Sequence, residues 1–125
     1  MRELVVAVAQ LDVALGDKET NVEKAIHYIT EATDKGAEVV CLPEYFNTGF
    51  GYKDPAEMRE ELGRQAELIP GPTIQKLQQA CKVNQLSAVG SMVEAVQGKL
   101  YNTAFAISSS GELVNTYRKV HLFQA

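Results

Sequence analysis

Two ionisable residues each come at the end of an apolar run, and both are of types that take part in acid–base chemistry. Glu44 follows residues 39–42 and Pro43, and Lys119 follows a strand-like segment that ends at Tyr117. If one sheet brings these ends together, a carboxylate that moves protons and an ammonium that stabilises an oxyanion share one cleft. A salt bridge is the competing interpretation, and from spacing alone it is the more frequent case.

The position of Glu44 is informative in itself. Residues 39–42 are apolar and rich in valine, which predicts a strand buried on both faces, as in a parallel sheet covered by helices. Pro43 ends the pairing because it has no N–H to donate. Glu44 then lies at the carboxyl end of a buried strand, where open α/β sheets bind ligands. A solvated loop carboxylate is the alternative, and position alone favours it.

Length and composition exclude several function classes. The 125 residues amount to one domain at most, with 46% hydrophobic and 22% charged residues, as in globular proteins. The net charge of -4 and the lack of a Lys/Arg cluster argue against a nucleic-acid partner. The apolar runs are too short to span a bilayer and the N-terminus lacks a signal-peptide pattern, so no membrane partner and a cytoplasmic location are predicted.

The first part of the chain predicts a βαβ unit. Residues 4–10 are almost continuously apolar and indicate a first strand. Asp17 is a suitable N-cap for the helix that follows, and Gly36 provides the end of that helix. The strand at residues 39–42 comes directly afterwards, so the two strands are predicted to be parallel. The fold is therefore expected to be of the α/β class.

The remaining elements predict a mixed sheet. Two helices are expected next, over residues 55–62 and from about residue 74 to residue 84. Three more strands are expected at residues 86–93, 100–107 and 112–117. Gln97-Gly98 is a hairpin signal between the first two of these strands, which are therefore predicted to be antiparallel.

Four sequence blocks, in the right order, resemble the nitrilase-like carbon–nitrogen hydrolases of the amidase/nitrilase superfamily. They are VAVAQ at residues 6–10 with Asn21 in the next helix, LPEYFNTGF at 42–50, YNTA at 101–104 and YRKVHLF at 117–123. The resemblance implies that residues 1–125 are the N-terminal portion of a single carbon–nitrogen hydrolase domain. It also implies half of a four-layer α-β-β-α sandwich, with a mixed sheet and helices on one face.

The resemblance further implies a Glu–Lys–Cys thiol mechanism that hydrolyses small-molecule amides, carbamoyl amines or nitriles without metal or cofactor. By motif, the glutamate corresponds to Glu44 and the lysine to Lys119, whereas the family's cysteine nucleophile would lie beyond residue 125. Cys41 precedes Glu44 inside its own strand and Cys81 falls on a helix, so neither fits that role. The chain alone is expected to be inactive.

Other residues of these motifs are given supporting roles. Tyr45, Phe46 and Phe50 are expected either to line a substrate pocket or to pack their loop, and the two alternatives are equally favoured. Of the three, Tyr45 and Phe50 are assigned to substrate binding. Asn102 is expected to tie its strand to the loop around Glu44 by hydrogen bonds, and Arg118 to form a structural ion pair.

A half sandwich leaves one face of its sheet uncovered. Val6, Val40, Val89 and Phe105 are expected to form an exposed apolar patch larger than monomers tolerate. The chain is therefore expected to form a homodimer or other homo-oligomer, or to pair with the missing half. A second function hypothesis is a non-catalytic half, truncated or engineered, that serves as a folding or assembly module.

Overall fold

The computed structural model describes residues 1–122, and Phe123 of the fourth sequence block lies outside them. In chain order the elements are β1 (Val6–Val8), α1 (Lys18–Asp34), β2 (Val39–Cys41), α2 (Pro55–Gln65), α3 (Pro72–Asn84), β3 (Ser87–Val96), β4 (Lys99–Ile107) and β5 (Leu113–Arg118). The predicted α/β class is confirmed.

The strands form one mixed sheet in the order β1-β2-β3-β4-β5. The pairs β1–β2 and β2–β3 are parallel, and the pairs β3–β4 and β4–β5 are antiparallel. Gln97 and Gly98 join β3 to β4 with φ angles of 49° and 75°. Tight hairpin turns of this kind need positive φ at both central residues, which is why Asn, Asp and especially Gly are common there. The predicted hairpin and mixed sheet are confirmed.

Helices α1 and α3 cover one face of the sheet. Asp17 caps α1 by accepting a hydrogen bond from the Thr20 backbone N–H at 3.2 Å. The core beneath the two helices includes Ile29 of α1 and Ile74 and Leu77 of α3, all fully buried. Helix α2 lies elsewhere and packs Leu62 against Val93 of β3. No helix within residues 1–122 is both long and apolar enough to cross a bilayer.

The prediction for the uncovered face is wrong at two residues. Val40 is 0% exposed and Phe105 is 3% exposed, because both lie under the helices. Val6 is 47% exposed and pairs with Val39, so Val39 rather than Val40 shares its face. Phe105 is accommodated beside Gly90, where an added Cβ would lie 2.9 Å from the ring.

The sequence predicts that strand β2 is buried on both faces, and this prediction is also wrong. Val40 is buried, but its neighbours Val39 and Cys41 are only partly buried. Strand β1 spans three residues instead of the predicted seven, since it is an edge strand of the described sheet and pairs with β2 alone. The partial exposure of β2 has a separate cause: within residues 1–122, part of the sheet surface has nothing packed on it.

Glu67 stabilises the start of α3, which has glycine at its N-cap and no side-chain cap of its own. The Glu67 carboxylate accepts hydrogen bonds from the Thr73 backbone N–H and hydroxyl, both at 2.9 Å. It also pairs with the Lys18 ammonium at 2.7 Å. Burial raises the pKa of Glu67, but the Lys18 and Thr73 donors outweigh burial, and the pKa lies below its ordinary value.

We expect Glu67→Ala to lower the free energy of unfolding by about 1–3 kcal/mol, because α3 loses its cap and Lys18 loses its carboxylate partner. Urea denaturation of the chain measures this. The depressed pKa makes the stabilisation fully present above the unfolded-state value, and it is lost as pH falls through the folded-state pKa. The difference between wild type and variant should therefore shrink in acid. Glu60→Ala, at an exposed position of α2, is the matched control, and an equal effect there would contradict the prediction.

Candidate active site

Glu44 stands at the start of a tightly held loop that follows β2. Phe46 anchors this loop in the core, where it is 0% exposed and meets Phe105 edge to face at a centroid distance of 6.0 Å. Tyr45 has a positive φ of 51°, and its carbonyl accepts hydrogen bonds from the backbone N–H groups of Thr48 and Gly49. The backbone next to Glu44 is thus fixed by packing and by turn hydrogen bonds.

Asn21 of α1 holds the same loop from below. It is fully buried, and its Nδ2 donates to the carbonyl oxygens of Ala14 at 2.7 Å and Asn47 at 3.0 Å. Its Oδ1 accepts from the Ala14 N–H at 2.8 Å. One amide therefore joins the loop before α1 to the loop after β2. The sequence marks Asn21 as part of a motif but gives no sign of these partners.

Lys119 follows β5 directly and reaches Glu44 across the sheet. Its Nζ donates to Glu44 Oε1 at 2.9 Å, and its backbone N–H donates to the Asn102 carbonyl at 2.8 Å. The two residues that the sequence singled out are therefore in direct contact. Their catalytic role stays a prediction.

Asn102 contacts both members of this pair. Its Nδ2 donates to Glu44 Oε1 at 2.6 Å, in addition to the backbone bond with Lys119. The prediction that Asn102 ties its strand to the loop by hydrogen bonds is confirmed, and the acceptor is Glu44 itself. Both donors converge on Oε1, so within residues 1–122 Glu44 Oε2 has no hydrogen-bond partner.

The charge state of Glu44 follows from these donors. Hydrogen bonds from Lys119 and then from Asn102 lower the pKa of the Glu44 carboxyl, and they outweigh the opposing effect of partial burial. The group is thus a carboxylate at neutral pH. Both side chains are about half exposed, so solvent screens the ion pair and it contributes little to folding stability.

A hollow of about 320 Å³ opens beside the pair, on the side of the sheet away from α1 and α3. It is lined by Leu42, Glu44, Gly90, Ser91, Asn102, Ala104, Tyr117 and Lys119. Small side chains at positions 91 and 104 leave space over the strands. The hollow is of a size to admit a small organic molecule.

Tyr45 and Phe50 do not line this hollow. Tyr45 is buried with Leu62 and Val93, and the Phe50 ring stacks on it at a centroid distance of 5.5 Å. Their contacts are those of the loop-packing alternative. A part in substrate binding stays a prediction.

Neither cysteine of the chain lines the hollow. Burial raises the pKa of the Cys81 thiol to about 11, so it is protonated at neutral pH and is a poor nucleophile. Cys41 lies in β2 and is partly buried. In the part of the chain that the structure describes, no group of three or more His, Cys, Asp or Glu is placed to hold a metal ion.

Arg118 forms the predicted ion pair, and its partner is Glu94. The guanidinium donates from Nε to Glu94 Oε2 at 2.8 Å and from Nη2 to Glu94 Oε1 at 2.9 Å. Sequence reasoning did not identify Glu94. The available signal is a single carboxylate inside the otherwise apolar run at residues 92–96 of β3.

The structure is an α/β sheet with an acid–amine pair at the ends of two strands. Comparison with known proteins identifies the family to which the chain belongs. The chain belongs to the carbon–nitrogen hydrolase family, whose sequence model matches residues 5–125. The predicted nitrilase-superfamily membership is confirmed.

Two similar proteins are nitrilase homolog 2 of Dictyostelium discoideum and omega-amidase NIT2 of Homo sapiens. The first is 36% identical over 126 residues, which cover 98% of this chain and 36% of that protein. The second is 39% identical over 124 residues, which cover 98% of this chain and 42% of that protein. The chain thus spans less than half the length of either relative.

Solved structures agree on the fold. An amidase of the nitrilase superfamily from Nesterenkonia AN1 superposes with a TM-score of 0.79 at 19% identity, over 98% of this chain and 45% of that chain. An N-terminal amidase gives a TM-score of 0.79 at 21% identity, over 96% and 28% of the two chains. At these identities the likeness concerns the fold alone.

Proposed function

We propose that residues 1–125 form the N-terminal portion of one carbon–nitrogen hydrolase domain, half of a four-layer sandwich. In this proposal the complete domain hydrolyses small-molecule amides, carbamoyl amines or nitriles by a Glu–Lys–Cys thiol mechanism. The observation that carries it is the 2.9 Å hydrogen bond from Lys119 Nζ to Glu44 Oε1 beside an open hollow. The omega-amidases among the similar proteins support amides as the first substrates to test.

Glu44 is the general base of the proposed reaction. Its Oε1 is occupied by the donors of Lys119 and Asn102, which leaves Oε2 to take the proton of a cysteine thiol. Thiolate rather than thiol is the nucleophile. That cysteine belongs, in the proposal, to the rest of the domain, because neither cysteine of this chain lines the hollow.

Lys119 provides the electrostatic part of the reaction. The thiolate attacks the amide carbon, a C–S bond forms, and the Lys119 ammonium stabilises the negative charge that develops on oxygen. The C–N bond then breaks, and the leaving amine takes the proton that Glu44 had accepted. Glu44 then deprotonates a water molecule, whose oxygen bonds to the thioester carbon; the C–S bond breaks, the carboxylic acid is released, and the proton passes from Glu44 to sulfur. In this proposal the reaction requires no metal or cofactor.

Phe50 and Tyr45 complete the proposed substrate site as a unit. Phe50 is 48% exposed at the end of the Glu44 loop, and in this proposal its ring contacts the substrate. Tyr45 is buried beneath it and fixes its position by stacking.

Ammonia release by the complete domain tests the proposal. A panel of simple amides, carbamoyl amines and nitriles should include at least one class that is hydrolysed. Ammonia release from none of the three classes would contradict it.

Assembly is a second candidate function, and the uncovered sheet face favours it. Val8 is 80% exposed and Tyr117 is 63% exposed on strands that could pack against another layer. In this proposal the rest of the domain covers the face, and a second copy covers it when the chain is alone. Sedimentation of the isolated chain should show self-association, whereas a monomer at high concentration would contradict this.

A further inference from the structure

The ion pair of Arg118 with Glu94 is placed next to the candidate active site without being part of the hollow. Glu94 is 6% exposed, and its carboxylate accepts two hydrogen bonds from the guanidinium. Its Oε2 also accepts from the Thr103 hydroxyl at 2.7 Å. A buried carboxylate with three donors is a rigid acceptor, and a bidentate pair fixes the orientation of the guanidinium as well as its distance.

A third contact completes the anchor. The Arg118 guanidinium carbon lies 4.1 Å from the centre of the Tyr101 ring, in a cation–π arrangement. Arg118 is the last residue of β5, whereas Glu94 belongs to β3 and Tyr101 to β4. The end of β5 is therefore held by side chains from two other strands.

Lys119 comes immediately after this anchored residue. Its side chain lies on the side of the hollow, and its backbone is held by one hydrogen bond to the Asn102 carbonyl at 2.8 Å. Its side chain is about half exposed, so packing alone does not fix it. The placement of its ammonium depends on where the end of β5 is held.

We propose that Arg118 is a positioning residue for Lys119: by binding Glu94, it fixes the end of β5 and keeps Lys119 Nζ within hydrogen-bond distance of Glu44. The positioning role depends on the contacts of Arg118 with Glu94 and Tyr101. Its meaning for catalysis rests on the proposed function.

The competing explanation is an ion pair that only stabilises the sheet, and charge-sensitive variants separate the two. Glu94→Gln removes a negative charge, which by Coulomb interaction alone would lower the pKa of Glu44. If the variant instead loosens the Lys119–Glu44 contact, the pKa of Glu44 rises. Arg118→Lys keeps the charge but loses the bidentate geometry. Coulomb interaction alone therefore predicts no change in the pKa of Glu44, whereas a positioning role of Arg118 predicts that this pKa rises.

The experiment is a pH titration of the Glu44 carboxyl carbon by NMR in the isolated chain. We expect the pKa of Glu44 to rise in Glu94→Gln and in Arg118→Lys, towards the value in Lys119→Met, which lacks the ammonium altogether. Glu31→Gln, which breaks the exposed Glu31–Lys35 pair of α1, is the matched control and should leave the Glu44 pKa unchanged. Circular dichroism verifies the fold, and Arg118→Lys decides the matter if Glu94→Gln does not fold.

An unchanged or lowered Glu44 pKa in the folded variants would overturn the proposal. In the complete domain, both variants should lower kcat per folded enzyme by roughly 10- to 100-fold, as a displaced catalytic group does. The titration needs no substrate. A complete domain without hydrolase activity would therefore refute the proposed function while leaving the positioning result intact.

Discussion

Replacing Glu44 by Gln is expected to lower kcat/KM of the complete domain for its amide substrate by about 10²- to 10⁴-fold. Glutamine has nearly the same size and keeps an oxygen that can accept from Asn102 and Lys119, as Oε1 does now. The fold is therefore expected to persist. The proton acceptor is lost, because a neutral amide does not take a proton from a thiol at neutral pH.

The same assignment predicts the pH dependence of the wild-type enzyme. Lys119 and Asn102 lower the pKa of Glu44, so the carboxylate stays ionised until the pH falls below the ordinary range of a glutamate. The acidic limb of the kcat/KM profile should therefore fall at a correspondingly low pH, where Glu44 becomes protonated and activity is lost. Glu60→Gln, on the exposed surface of α2, is the control for the loss of one carboxylate. Normal turnover in Glu44→Gln would refute the assignment.

Replacing Phe46 by Ala should have the largest effect on folding, a loss of about 3–5 kcal/mol in the free energy of unfolding. Phe46 is fully buried in the main core and contacts the Phe105 ring edge to face. The substitution removes both the apolar burial and this aromatic pair, and the surrounding strands and helices cannot fill the space without moving. Such a loss is a large part of the stability of an ordinary domain.

Urea denaturation of the isolated chain measures the effect of Phe46→Ala. Phe50→Ala is the matched control, because Phe50 belongs to the same loop and is half exposed. Phe46→Leu, which keeps much of the apolar volume, should have an intermediate effect and provides a reading if the alanine variant is too unstable to fold. Equal unfolding free energies for Phe46→Ala and Phe50→Ala would contradict the view that Phe46 anchors the Glu44 loop.

Local patterns predict much of this fold because each depends on neighbours in sequence. Asp17 as a helix cap and Gln97-Gly98 as a hairpin turn depend on a few residues, and both are confirmed. The face of the sheet on which a strand residue lies does not depend on sequence neighbours alone. Whether Val40 or Val39 lies beside Val6 depends on the register between strands, and a shift of one residue exchanges the two faces.

The candidate site shows the same limit. The contact between Glu44 and Lys119 is anticipated because each follows a strand of the same sheet, and the family motifs mark both. Glu94 is not anticipated, since its role comes from Arg118, which lies two strands away. The packing of Tyr45 is likewise set by α2 and β3, which its own segment does not encode.

The mixed topology of the sheet has a consequence for the order of folding. The antiparallel strands β3, β4 and β5 are joined by short turns, so pairing them closes small loops, whereas pairing β1 with β2 must first enclose the whole of α1. Loop-closure entropy favours the hairpins as early structure and delays the long-range parallel pairs. Lys119 and Asn102 are then brought near each other early. Glu44, 75 residues before Lys119, joins them only when β2 docks beside β3.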